Sequence, residues 1–456
     1  MKSLEDKLKA HGNAARMMRE AQTGRYAFPI PSEFTNWIEE MRAWREAAAL
    51  MDQSFHMTDL YVKGPDVMRL LSDLGVNSFA NFGRNKAKQL VCVNHDGFVI
   101  GDAIVFGLED DEVNIVGRPT LPNWFQFHAE TGGYDVIVTR DQRSLDDPDK
   151  PRLTYRYEVQ GPRALELLRE VNTGGPLTTK FFHMGEITIA GCKGRTLSHG
   201  MGGAEGLEIW GPAVDGSRVK AAIVEAGKAF GLRQVGSRAY AAAAAESGWV
   251  PSPLPAIYAG EAMRSYREWL STTSFEANCS IGGSFVSDDV TDYYFTPWDL
   301  DYGRVVKFDH EFIGRKALET MAMAPHRKKV TLVWNSKDVM AIYACLVETD
   351  GAMPKYMEMP AAHYAAHPYD MVQKDGQAAG ISIAPAYSPN ERAWISLAIL
   401  EPQFAKTGTE VIVTWGEPDG GSSKPAVERH CQMQVRATAH PWPIHEASRL
   451  NYRKQI

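Results

Sequence analysis

Apolar residues recur at three- and four-residue steps over two early stretches of the chain. Leu4, Leu8, Ala15 and Met18 mark one predicted helix over 4–23, which Gly24 and Pro29 interrupt. Phe34, Trp37, Ile38, Met41, Trp44 and Ala48 mark a second over 33–49, with its Trp face turned inward. The pattern then changes. Three times a short strand-like run ends in Gly-Pro and a helical pattern follows: Leu60 to Gly64-Pro65 before 67–74, Tyr157 to Gly161-Pro162 before 164–171, and Leu207 to Gly211-Pro212 before 218–230. Proline suits that junction because its φ is preset and its missing N–H would be unpaired there anyway. The copies are unevenly spaced, which excludes a solenoid array. Residues 89–106 predict a hairpin, and strand–helix units mixed with hairpins predict an α+β sheet with helices on one face.

From residue 326 the pattern is mostly strand and turn. The run Val330-Thr331-Leu332-Val333-Trp334 alternates, and 380–384, 394–400 and 409–415 are short strands set apart by Gly, Pro and Asn. The chain therefore divides into an α+β region over 1–325, built as two intertwined subdomains, and a β-domain over 326–456 whose tail from His440 is an irregular strap. A length of 456 residues, 44% hydrophobic, is enough for several buried cores. No stretch approaches the run of about 18 apolar residues of a membrane span, and the charged segment from Met1 to Lys7 is unlike a signal peptide, so the cytoplasm is the expected location. Cys92, Cys192, Cys279, Cys345 and Cys431 are widely spaced and read as buried thiols rather than a disulfide framework or zinc knuckle. A net charge of −7 without any Lys/Arg block argues against nucleic acid as a partner. An anionic ligand must meet individually placed cations.

Few residues announce chemistry on their own. Gly200, Gly202 and Gly206 crowd together, but they lead into the strand-like Leu207 to Trp210 instead of opening a helix, so this is no dinucleotide-binding turn. Read alone, Glu208 is a solvent-facing strand residue, Asp102 a turn-stabilising acid at a strand end, His56 a core histidine between Phe55 and Met57, and Tyr26 and Tyr240 packing residues. Arg118, between Gly117 and Pro119, is the exception, because a cation on a tight turn is placed to meet an anion. His363 and His367 are four apart, yet no Glu follows His363 and Pro368 ends the pattern, so no metal site is expected.

The run 296–318, TPWDLDYGRVVKFDHEFIGRKAL, resembles a segment of the glycine-cleavage T-protein family, which holds tetrahydrofolate. In that family the run threads a Thr-Pro turn, a short Leu/Tyr-Gly strand, a Lys-bearing strand and a Phe-Ile-Gly-Arg helix start. Tyr387-Ser388-Pro389 and the strand 395–398 resemble the family's C-terminal barrel. The resemblance implies an α+β fold, with T-protein-like folate-binding sheet and helix domains followed by a C-terminal β-barrel. It puts Glu208 in the place of the carboxylate that reads the pterin, where two parallel N–H donors meet two carboxylate oxygens. It puts Asp102 near the reactive folate nitrogens, with Gly101 standing where the family carries one of a pair of acids.

Tyr26, the run 53–57, the run 85–89, Arg118, 236–240 and 246–253 together resemble the tetrahydrofolate-dependent aromatic O-demethylase branch. Its members act on vanillate, 3-O-methylgallate and syringate, and a relative opens the methylenedioxy bridge of sesamin. The branch implies Tyr26, Gln53, His56, Arg118 and Tyr240 around an aromatic substrate, and Glu208, Asp102 and Trp249 on tetrahydrofolate as co-substrate. Tyr240, His56, Tyr26 and Asp102 are the implied catalytic groups. Moving a carbon from an aryl ether to a folate nitrogen needs in-line attack by a neutral amine and a donor for the departing phenolate, and a Tyr hydroxyl has nearly the pKa of that phenol. No metal or radical cofactor is required by that chemistry. Phe28 replaces the second Tyr of the vanillate-type enzymes and favours an uncharged ligand, whereas Arg118 favours a methoxybenzoate, so both substrate types stay open. An aminomethyltransferase of glycine cleavage would need a lipoylated partner. A folate-binding assembly factor would carry a Lys-Gly-Cys-Tyr-x-Gly-Gln run, which Gly191-Cys192-Lys193-Gly194 does not match. Neither a membrane nor an obligate protein partner is expected.

Overall fold

The strand runs gather into three sheets in the computed structural model, which describes residues 2–22, 29–178, 180–200, 204–250, 253–362, 364–421 and 423–451. A six-stranded sheet orders Leu232–Val235, Ala48–Asp52, Thr154–Gln160, Gly206–Pro212, Cys192–Ser198 and Met184–Ile189. Helices Ala164–Val171 and Gly216–Gly227 cover one of its faces, where Leu167, Leu168, Val219 and Ile223 pack with Tyr155, Tyr157, Val159, Leu207 and Ile209. Because successive strand residues point to opposite faces, Arg156, Glu158 and Glu208 must point the other way.

That other face looks toward a five-stranded sheet ordered Ala87–Val93, Val99–Glu109, Glu112–Gly117, Thr58–Lys63 and Ile137–Asp141. Phe106 and Val116 of this sheet meet Met184, Leu197 and Trp210 of the first in a small apolar cluster between them. The chain alternates between the two sheets, entering the first at Ala48–Asp52 and the second at Thr58–Lys63. Two of the recurring Gly-Pro junctions have a steric cause. Gly64 and Gly161 sit at φ of 149° and 124°, and a Cβ would lie 2.3 Å from the Asp135 carbonyl oxygen in one case and 2.6 Å from that of Ala47 in the other.

The third sheet orders Ile281–Gly282, His367–Lys374, Gln377–Ser388, Ala393–Leu400, Lys328–Trp334, Met433–His440 and Glu410–Trp415. A further pairing of His367–Lys374 with Glu410–Trp415 closes six of these strands into a barrel around Trp334, Trp394 and Trp415. The α+β architecture with a C-terminal β-barrel is thus the observed one.

Several local expectations fail for identifiable reasons. The helix over 4–23 is two helices, Leu4–His11 and Ala14–Glu20, because Gly12 adopts a left-handed conformation and Asn13 caps the second by accepting from the Arg16 N–H. The helix over 33–49 is Trp37–Glu46. Asn36 caps it, the Glu33 carboxylate takes the Trp37 N–H, and the Glu40 carboxylate takes those of Phe34 and Thr35, while the chain from Ala48 is already strand. Trp44 is buried as expected, and the half-buried Trp37 meets Tyr387 edge-on. The run 296–318 contains no strand: turns carry it to the helix Arg315–Met321. The strap after His440 includes a helical turn, Glu446–Asn451. Cys92, Cys192 and Cys279 are buried, but Cys345 and Cys431 are partly exposed. Among the described residues no helix is long and apolar enough to cross a membrane.

Candidate active site

Arg156 lies between the sheets and joins them. Its Nη2 is 2.6 Å from the Asp59 carboxylate of the five-stranded sheet, and its Nη1 bonds Glu208 of the six-stranded one. Arg152 holds the other Asp59 oxygen at 2.8 Å and Asp141 at 3.0 Å. Glu208 and Glu158 are directly opposed across neighbouring strands, an arrangement that repels unless cations intervene. His199 supplies one, with Nε2 3.2 Å from Glu208 and 3.7 Å from Glu158. Burial pushes the His199 pKa down, but Glu158 and Glu208 outweigh it and the net shift is upward. Burial likewise pushes Glu208 up, and the Arg156 and His199 charges reverse this and hold it at about 2. Glu208 is therefore an ionised carboxylate, 2% exposed, with its orientation fixed from both sides.

Tyr240 and His56 form a second group. Helix Ser237–Ser247 presents the Tyr240 hydroxyl 3.0 Å from His56 Nε2, with the rings edge to face. The side chain of Gln53, at the end of strand Ala48–Asp52, also bonds that hydroxyl. Burial and the adjacent charges of Arg118, Arg152, Arg143 and Arg156 lower His56 to about 3, so its ring is neutral near neutral pH. Burial, reinforced by the Glu158 and Glu208 charges, drives the Tyr240 pKa far upward. Tyr240 is therefore a neutral phenol whose pKa lies above that of the free phenol to which the sequence reading likened it. Arg118 follows the strand Glu112–Gly117 and precedes the helix Thr120–Thr131. Burial and the neighbouring Arg143 lower its pKa, and among the described residues no carboxylate pairs with it. Arg143, by contrast, is held by Asp146 through two bonds of 2.6 and 2.8 Å.

Asp102 centres the third group. It lies within strand Val99–Glu109 rather than at a strand end, and its Oδ2 accepts from Gln89 Nε2 at 2.8 Å, Trp249 Nε1 at 2.9 Å and the Tyr302 hydroxyl at 2.9 Å. Burial raises its pKa, and those three donors only partly offset the rise. Its charge in turn acts on Arg118.

The geometry thus brings Gln53, His56, Arg118 and Tyr240 together, links Tyr240 electrostatically to Glu208, and joins Asp102 to Trp249. Tyr26 and Phe28, as well as His363, lie outside the described residues. Sequence reading missed Arg156, Glu158, His199, Asp59, Arg143 and Tyr302. For Arg156 and Glu158 a signal existed: in Thr154–Gln160, polar residues alternate with Tyr155, Tyr157 and Val159, and every residue from Tyr155 onward is buried. Glu158, His199 and Glu208 bring ligand-type atoms within 4.8 Å of one another, but Arg156 already neutralises one of the acids.

Residues 5–251 match the GCVT N-terminal domain family. Over 452 residues the chain is 46% identical to the syringate O-demethylase of Sphingobium sp. (strain NBRC 103272 / SYK-6), covering 99% of this chain and 98% of that one. It is 28% identical to the sesamin methylene transferase of Sinomonas sp. (strain No.22), with 92% of each covered. Among solved structures, the glycine cleavage system aminomethyltransferase T from Bartonella henselae superposes with a TM-score of 0.62 at 16% identity, covering 94% of this chain and 95% of that one, a likeness of fold. The chain belongs to the glycine-cleavage T-protein family, in its branch of tetrahydrofolate-dependent aromatic-ether demethylases.

Proposed function

We propose that this enzyme removes the methyl group of a methoxylated benzoate of the syringate type and passes it to tetrahydrofolate, releasing a phenol. The observation that carries the reading is Arg118, a desolvated guanidinium beside Tyr240 and His56 with no carboxylate partner among the described residues. Arg118 is half-buried, and a desolvated charge is costly unless paired, so a carboxylated ligand would supply the counter-charge it lacks. The relative named for syringate, a carboxylated arene, points the same way.

Tetrahydrofolate fits the remaining donors and acceptors. Glu208 is ionised and held by Arg156 and His199, and a carboxylate offers about four lone-pair sites, so it retains capacity for the two parallel N–H groups of a pterin edge. When bound, the folate would supply the secondary amine that forms the new C–N bond as the methyl C–O bond of the aryl ether breaks and the aryl C–O bond stays intact. Asp102, half-buried and raised in pKa, stands ready to take the proton that the amine must lose. Gln53 and the Nε2-protonated form of His56 donate to the Tyr240 oxygen, which leaves the Tyr240 O–H to hydrogen-bond the departing ether oxygen and stabilise the phenolate without giving up its proton. Such assistance is typically worth roughly 10²–10⁴ in rate. Arg118 holds the ring by its carboxylate so that the methoxy carbon lies between Tyr240 and the amine, and positioning of this kind contributes on the order of 7–11 kcal/mol.

The test is turnover of purified enzyme with tetrahydrofolate and, separately, syringate, vanillate, 3-O-methylgallate and sesamin, following the released phenol and the methylated folate. Turnover of a methoxybenzoate is expected. Turnover of sesamin alone would replace the carboxylate reading with methylene transfer, and no folate-dependent turnover on any of them would refute the proposal.

A further inference from the structure

The segment that carries Gln53 and His56 is fastened to the loop that follows strand Ile137–Asp141. Arg152 Nη1 donates to the Ser54 carbonyl at 2.8 Å and to the Met57 carbonyl at 2.9 Å, the Ser144 N–H donates to the Phe55 carbonyl at 3.0 Å, and the Thr58 hydroxyl donates to Gln142 Oε1 at 2.8 Å. Arg143 stands between Gln142 and Ser144, so these bonds hold it against the His56 turn. It is 8% exposed. Its guanidinium lies 5.2 Å from the centre of the Phe275 ring, and Phe275 leads into the turn Glu276–Asn278. Asn123 grips that turn through both Glu276 oxygens, at 3.0 and 2.9 Å, from near the start of the helix into which Arg118 leads. The two segments on either side of Arg143 are thus bonded to the two segments that present His56 and Arg118, and the Arg143 charge acts on both of those groups.

Two guanidiniums that are largely out of water repel each other, and among the described residues only Arg143 is matched by a carboxylate. Asp146, three residues further along the same loop, meets Arg143 Nε at 2.6 Å and Nη2 at 2.8 Å. This is the two-point fork in which an arginine recognises any carboxylate, and it takes two of the five N–H donors. Asp146 itself is an exposed residue, so returning it to water costs little.

We infer that Arg143 is a second guanidinium reading the carboxylate of the aromatic substrate, and that Asp146 is a resident stand-in which this carboxylate displaces. The inference rests on the carboxylate reading of Arg118 given above. A benzoate between the two arginines interacts with both cations, whereas Asp146 pairs with one of them, and two carboxylates on one guanidinium repel. The substrate therefore wins the exchange. Until it arrives, Asp146 offsets part of the repulsion between Arg143 and Arg118.

The experiment compares Asp146→Asn and Arg143→Gln with wild type in KM and kcat for a methoxybenzoate and for its methyl ester. Removing the competitor should lower the KM for the acid, by about 2- to 5-fold for a partly exposed ion pair. Removing the reader should raise it, on the order of 10- to 100-fold for a hydrogen bond between charged groups, and Arg143→Lys should recover part of that loss. In both cases kcat should change little, because pairing made equally in the ground and transition states moves KM alone, and the ester should show neither shift. If Arg143→Gln fails to fold, Asp146→Asn, at an exposed position, carries the test by itself. A KM for the acid that is unchanged or raised in Asp146→Asn, or a loss equal on acid and ester in Arg143→Gln, overturns the inference and leaves the Arg118 reading standing. If wild type and Arg118→Met treat acid and ester alike, the carboxylate reading fails and the role of Arg143 fails with it.

Discussion

Arg118→Met separates the substrate readings most sharply, because its effects on stability and on activity should have opposite signs. The substitution keeps the length and apolar stem of the side chain and removes a charge that burial and Arg143 already disfavour. Without ligand, the fold loses a half-buried, desolvated cation that no carboxylate pairs among the described residues, so its melting temperature should hold or rise. With a carboxylated arene, the variant loses a desolvated charge pair, for which truncation typically costs about 2–5 kcal/mol. That is on the order of 30- to 5,000-fold in kcat/KM. An uncharged methoxyarene or a methylenedioxy lignan has no carboxylate to lose and should be turned over by the variant about as well as by wild type. The assay is kcat/KM for a methoxybenzoate and for its methyl ester, in both proteins, with melting curves alongside. If the loss is equal on acid and ester, Arg118 shapes the site without reading the carboxylate and the reasoning is wrong.

Glu208→Gln removes the negative charge and turns one of the two acceptor oxygens into an amide donor, leaving Asp59 as the only carboxylate on Arg156, so tetrahydrofolate affinity should fall by roughly 3 kcal/mol, about 150-fold, and the melting temperature should drop with it; unchanged affinity by calorimetry would show that the pterin binds elsewhere. Tyr240→Phe should lower kcat by roughly 10²–10⁴ with folate affinity intact, and wild-type single-turnover rates would remove Tyr240 from the chemistry. His56 has a depressed folded pKa, about 3 against 6.5, so the stability it confers is complete above 6.5 and is lost as pH falls from 6.5 toward 3. His56→Gln should flatten the acid limb of the stability curve by up to about 1.4 kcal/mol per pH unit, measured by denaturant unfolding at pH 6, 5 and 4. His199 has a raised folded pKa and the opposite sign: its contribution is complete below 6.5 and lost as pH rises through the folded value, so His199→Gln should flatten the alkaline limb.

What could be read in the sequence follows what each signal depends on. Periodicity reports which residues share a face, and it located the helix Trp37–Glu46, the hairpin at 89–106 and most of the barrel strands. It could not separate Ala48–Asp52 from the preceding helix, because Ala48 continues the helical spacing while its strand partners, Leu232–Val235 and Thr154–Gln160, lie far along the chain. Resemblance to a known family picked out Glu208, Asp102, Arg118 and Tyr240 one by one. The groups that set their charge state escaped it, since Arg156, His199 and Asp59 act through contacts that arise only when two sheets face each other. The strand Thr154–Gln160 is the instructive case. Its tyrosines and valine on one face and Arg156, Glu158 and Gln160 on the other look like an ordinary half-exposed strand, yet both faces are buried. Polar alternation gives the facing and is silent on whether water or another sheet lies opposite.

The distribution of buried charge explains why the pockets face where they do. In the ion network between the sheets, cations and acids are matched: Asp141 with Arg152, Asp59 with Arg152 and Arg156, Glu208 with Arg156 and His199. A matched network holds the sheets in register and asks nothing of a ligand. Arg118 and Lys329 lie outside it, each desolvated and each without a carboxylate among the described residues. Placing Arg118 so costs the empty protein stability that an anion would return, whereas Lys329, its pKa lowered to about 7 by burial, can also shed its charge by losing a proton. A ligand that supplies a carboxylate at Arg118 is therefore favoured by more than contact area, since it relieves a penalty the fold already bears, and an uncharged analogue of the same shape gains none of that relief. Discrimination between an acid and its ester thus needs no steric exclusion, and it should persist in any variant that widens the cleft while leaving Arg118 in place.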